Sequence, residues 1–211
     1  MAMMTGVVSA LAAVGLAGAV PAGAPAVTDL HPIALHPGIN RVPGFLPGGA
    51  PATIVEAWRG NGNAHGHHAW MVLGGPSEGR PVGLVGKESD GDPVDDTISD
   101  DPFDGERVLG AVRFATARLA GVRVTLLLRA ILDRSTSGVP ADHATATVLW
   151  YRLDHQGDAV GRPTDLFVPI GRVQTTRRYC NADLALRDVA GMPLPADFAA
   201  ANRVDGCADG G

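Results

Sequence analysis

From Val122 to Leu132 the chain alternates almost without interruption. Val122, Val124, Leu126, Leu128, Ala130 and Leu132 take one side, with Arg123, Thr125 and Arg129 on the other. A period of two residues is the signature of a β-strand, so Val122–Asp133 is predicted as one. Ala144–Leu153 (A-T-A-T-V-L-W-Y-R-L) follows across the polar stretch Ser135–Asp142 and is the expected antiparallel partner. Two more strands are predicted upstream, Ala52–Trp58 and His67–Leu73, separated by R-G-N-G-N-A-H-G, where Asn61-Gly62 is a hairpin-turn signal. Shorter candidates are Pro81–Val85, Leu166–Val173 and Leu184–Val189.

Residues 107–120 fit two periods. Val108, Val112, Ala115 and Leu119 form a helical stripe, with Asp104 as N-cap and Gly121 as stop. Val108, Val112, Phe114 and Thr116 fit strand alternation instead. The helix is the favoured reading. Short strands joined by turn clusters predict a mostly β fold, an antiparallel β-sandwich or open barrel with one helix near 107–120, and α+β as the alternative.

The amino-terminal pattern is different in kind. No charged side chain occurs before Asp29, and Gly6–Val20 is a bland apolar run followed by small residues. This resembles a secretory signal spanning residues 1–26, cleaved after Ala26, although no basic residue precedes the apolar run. A permanent membrane span needs about 20 strongly apolar residues, whereas this run is rich in Ala and Gly and broken at Pro21 and Pro25. Removal leaves 185 of the 211 residues: a Pro/Gly-rich lead-in over 27–51 and a single β-rich domain over 52–211. The expected location is the bacterial periplasm or the cell exterior.

Composition narrows the partners. A formal net charge of −5 argues against nucleic acid. Lys87 is the only lysine, against sixteen arginines, which reads as the bias of a GC-rich genome. In an oxidising compartment Cys180 and Cys207 are expected to pair, closing a C-terminal loop worth about 3 kcal/mol on a chain-entropy basis.

Candidate chemistry centres on His65-Gly66-His67-His68. With Asn61-Gly62 as a two-residue turn, Trp58 opposes His65 and Glu56 opposes His67. Glu56, His65 and His67 would then share one face, close enough to hold zinc or copper. Trp58, beside them, is the candidate ligand-binding aromatic. Asp90, Asp92, Asp95, Asp96, Asp100, Asp101 and Asp104 form an acidic loop, a weaker candidate for calcium because no frame fits the twelve-residue calcium motif. No nucleophile elbow or zinc-protease helix is present, so no catalytic residue is assigned.

The sequence thus favours an exported, non-catalytic β-rich domain that binds an unidentified protein or small molecule. Its alternatives are a metal-dependent enzyme or metal carrier using Glu56, His65 and His67, and a self-associating subunit of a cell-surface assembly with the lead-in as docking arm.

Overall fold

The computed structural model describes residues 21–60, 66–75, 82–88, 94–100, 109–133, 143–157 and 162–195. The expected signal core, the Asn61-Gly62 turn, the Ser135–Asp142 turn and Cys207 lie outside them. Two sheets and one helix make up the architecture. In chain order the strands are β1 (Val27–Pro32), β2 (Gly38–Val42), β3 (Ala52–Arg59), β4 (His67–Gly74), β5 (Gly83–Leu84), β6 (Gly86–Lys87), β7 (Ile98–Ser99), β8 (Gly110–Leu119), β9 (Val122–Leu132), β10 (Ala144–His155) and β11 (Asp165–Tyr179). The helix α1 (Ala182–Ala190) follows. The larger sheet runs β1-β8-β9-β10-β11-β6; the smaller runs β2-β3-β4-β5, with β7 also beside β4. The fold is mostly β, and the sheets do not close into a barrel.

The larger sheet is covered on both sides, and its sequence divides accordingly. Val112, Phe114, Leu127, Leu149, Tyr151, Leu153 and Phe167 point to the smaller sheet, where they meet Phe45, Ile54, Trp70, Val72 and Ile98. Ala111, Ala115, Leu128, Ala130, Ala146, Val148 and Trp150 point the other way, onto Leu184, Ala185, Leu186 and Met192 of the helix region. Four of these seven helix-side residues are alanines, set around Leu128, Val148 and Trp150, and they let α1 sit close.

This two-sided burial corrects the reading of 107–120. Gly110–Leu119 is a strand, paired along its whole length with β9 from Gly110↔Ile131 to Leu119↔Val122. With both faces apolar, the alternation that marks a half-exposed strand is lost, and an Ala-rich face leaves a false helical stripe. The helix lies instead at Ala182–Ala190, over the segment read as a strand at Leu184–Val189. Its caps were legible. Asn181 Oδ1 accepts from the Asp183 N–H at 2.7 Å, and Gly191, at φ 70°, donates its N–H to Arg187 O. Arg113 reaches Asp183 at 2.5 Å, joining the helix to β8.

Elsewhere the predicted strands hold. β9 and β10 pair antiparallel as expected, from Ala146↔Leu132 to Arg152↔Leu126. β11 is far longer than Leu166–Val173 and carries an irregularity near Thr175. There the ladder shifts between Thr145 and Thr147, and the Ala146 N–H donates to Thr175 Oγ1 at 2.8 Å. A side-chain hydroxyl thereby replaces a missing backbone acceptor.

The lead-in is part of the body. β1 closes one edge of the larger sheet, β2 closes one edge of the smaller, and Phe45 is buried between them. Deleting Pro32–Pro47 would remove β2 and a core aromatic, so such a deletion does not isolate a docking arm. Among the described residues no helix is long and apolar enough to cross a membrane.

Phe114 is the hub of the inter-sheet core: its ring centroid lies 6.0 Å from Phe45, 6.1 Å from Phe167 and 6.3 Å from Trp70. Truncation by Phe114→Ala is expected to cost about 3–5 kcal/mol, with Phe114→Leu distinctly milder, as read from denaturant midpoints. Thr175→Val should cost about 1–3 kcal/mol by stranding the Ala146 N–H. Thr175→Ser should restore most of that stability.

Candidate functional site

The β3–β4 register decides which side chains meet at the end of the smaller sheet. Ile54 opposes Val72, Glu56 opposes Trp70, Trp58 opposes His68 and Arg59 opposes His67. This is three residues away from the register of a two-residue Asn61-Gly62 turn. An odd slip exchanges the faces of one strand relative to the other. The cause lies in the core. Ile54, Trp70 and Val72 are all buried and must share the inward face, which the tight turn would forbid.

Glu56 and His67 therefore stand on opposite faces of the smaller sheet. The structure does not bring them together, and His65 lies outside the described residues. Among the described residues, no group of three His, Cys, Asp or Glu side chains is placed to hold a metal ion. Two members of the acidic loop are engaged with the body instead. Asp95 meets the buried Lys87 Nζ at 2.7 Å, and Lys87 also lies 5.6 Å over the Tyr151 ring. Asp100 binds His68. Asp90, Asp92, Asp101 and Asp104 lie outside the described residues.

What the register does assemble is an aromatic and polar cluster around His68. The Trp58 and His68 rings meet edge-on with centroids 4.9 Å apart, and His68 lies 5.8 Å from Trp70. Asp100 grips His68 through both backbone and ring. Its Oδ1 accepts from the His68 N–H at 2.7 Å, while Oδ2 lies 3.2 Å from Nδ1. The Asp100 N–H returns a bond to the His68 carbonyl. This carboxylate orients the imidazole and favours a proton on Nδ1.

Trp58 is the exposed member. At 51% exposure it keeps much of its ring in solvent, yet it is not loose. Its six-membered ring lies flush on Gly66, where an added Cβ would come within 2.1 Å of it. Glycine here is required by close approach. An indole clamped between glycine and imidazole, with half its surface open, has a ready π-face and little rotamer freedom to lose. Trp58 was singled out from the sequence. In the register of a two-residue turn His68 would stand on the face opposite Trp58, and Asp100 carries no local signal because its partner is 32 residues away.

A second His–Asp pair, His155 with Asp165 at 2.9 Å, terminates the β10–β11 ladder and serves to close those strand ends. Asp154 pairs with Arg152, so neighbouring Asp154 and His155 serve separate partners.

The fold and site define a two-sheet β protein with a C-terminal helix behind the larger sheet and an aromatic-rimmed cluster at one end of the smaller. No protein-family model matches the sequence, and no curated protein aligns with it significantly. The crystal structure of CarG has a similar fold. It superposes with a TM-score of 0.60 and 18% identity, covering 75% of this chain and 94% of CarG. At that identity the likeness is one of fold.

Gly66→Ala should expel the Trp58 ring from its seat. The expected readout is a red-shifted Trp emission and loss of near-UV dichroism at unchanged far-UV signal. An unaltered Trp spectrum would show that Trp58 does not rest on Gly66.

Proposed function

We propose that this chain is an exported, non-catalytic binding domain whose recognition surface is the Trp58–His68–Asp100 cluster. The observation that carries the reading is Trp58 itself: a large apolar ring held rigid and half exposed, beside an imidazole already oriented by a carboxylate. Such a surface suits a ligand with one flat or CH-rich face for the indole and a hydrogen-bonding edge for the imidazole. A cyclic sugar or a heteroaromatic ring meets both requirements.

Export is supported by two features of the chain. The uncharged run Met1–Ala26 ends where β1 begins, at Val27, so cleavage after Ala26 would spare the first strand. Cys180 is buried, and there is no free cysteine among the described residues, in keeping with a Cys180–Cys207 bridge formed in an oxidising compartment.

A panel of mono- and disaccharides and aromatic heterocycles, followed by Trp fluorescence and ligand-observed NMR, tests the site. A binder should quench Trp58, and Trp58→Ala should weaken it at least tenfold while leaving the melting temperature within a few degrees. A binder indifferent to Trp58→Ala would reject this surface. The protein recovered from the periplasm or culture medium should begin at Val27 and contain no titratable thiol; free thiols or an intact amino terminus would reject export with bridge formation. Cleavage there also removes Gly23, whose N–H and carbonyl both bond to the Arg172 backbone. The Arg172 amide is therefore expected to exchange faster in the processed form than in the full chain.

A further inference from the structure

A cavity of about 600 Å³ opens on the larger sheet where the β8–β9 turn meets the 43–49 segment and the end of β10. That size is typical of small-molecule sites. Phe45, Leu46, Pro47 and Leu153 give it apolar walls, and Arg123 stands among them. Its polar groups are few and mostly satisfied. Thr125 Oγ1 donates to the Phe45 carbonyl at 2.6 Å. Arg152 holds Asp154 through two bonds, Nε to Oδ1 at 2.5 Å and Nη2 to Oδ2 at 2.6 Å, and this contact holds the guanidinium even more firmly protonated. Asp154 is thereby neutralised and presents little negative charge to an incoming anion.

Arg123 is the exception. It stands directly opposite Arg118 in the β8–β9 ladder, a like-charge pairing that costs stability. Arg118 is relieved by Asp29 at 3.2 Å and by the Gly121 carbonyl. Arg123 has no carboxylate partner among the described residues, and its guanidinium lies instead beside Gly44, 3.8 and 3.9 Å from where a Cβ would stand. The cavity therefore carries one surplus positive charge on an apolar floor.

We propose that this cavity is a binding site for a small amphipathic organic anion, a carboxylate or sulfonate on an apolar body, with Arg123 taking the charge. The site is separate from the Trp58 cluster and does not depend on it. Arginine's planar fork suits either acid group through paired N–H donors, and Leu46 and Leu153 receive the apolar part.

The test uses 1-anilinonaphthalene-8-sulfonate and its uncharged relative N-phenyl-1-naphthylamine on the full chain. The sulfonate is expected to bind saturably with one equivalent, shifting amide resonances of Gly44–Gly49 and Arg123–Thr125. Arg123→Gln should weaken the sulfonate at least tenfold and the neutral probe less than twofold, while Trp58→Ala changes neither. Absence of saturable sulfonate binding overturns the proposal, as does equal affinity in native and Arg123→Gln proteins. Resonance shifts confined to another surface would do the same.

Discussion

Burial of the larger sheet on both faces is the constraint from which the rest follows. A sheet with one wet face can be written as a simple alternation; a sheet with two dry faces needs apolar residues at successive positions. Here Phe114, Leu127, Leu149 and Phe167 fill the space towards the second sheet. The alanines of β8, β9 and β10 leave room for the helix on the other side. The second sheet and the helix are thus not alternative covers for one core. Each seals its own face, and removal of either would expose a continuous apolar surface.

The same constraint reaches the candidate site through strand register. Ile54, Trp70 and Val72 must all look inward, and that requirement sets Trp58 opposite His68. Once His68 faces the interior end of the sandwich, Asp100 at the end of β7 can close on it from the neighbouring segment, with three bonds to one residue. The cluster is therefore a by-product of core packing at the margin of the sheet. It is positioned by elements rather than by a free loop, which is the arrangement a recognition surface needs if its affinity is not to be spent on ordering.

Much of the architecture was legible in the sequence, and the failures have identifiable causes. β3, β4, β9 and β10 follow from alternation, and the β9–β10 pairing from their proximity along the chain. β8 was hidden because its two faces are both apolar, so the residues that report a strand's exposed side are missing. The helix at Ala182–Ala190 was hidden by a Leu-Ala-Leu stretch that imitates alternation, although Asn181 and Gly191 mark its ends. The hairpin register was decidable in principle. Ile54 and the pair Trp70 and Val72 cannot share the inward face under a two-residue turn, and burial of three large side chains outweighs a turn preference. Asp100 and the cavity beside Arg123 were out of reach, since both arise from contacts between segments distant in sequence.

The path of the amino-terminal segment has a kinetic consequence. β8 to β11 form a run of sequential antiparallel neighbours, so their contacts can form with little loop-closure cost. β1 must instead find β8 across the whole intervening chain, placing Val27 beside Leu119. Non-local pairing of this kind is entropically late, and β1 occupies an edge where only one side of it is bonded. The native state accordingly has a built-in order of assembly, in which the meander consolidates first and the amino-terminal strand docks as a latch. Whatever first loosens this protein should lift that latch before it disturbs the sheet beneath.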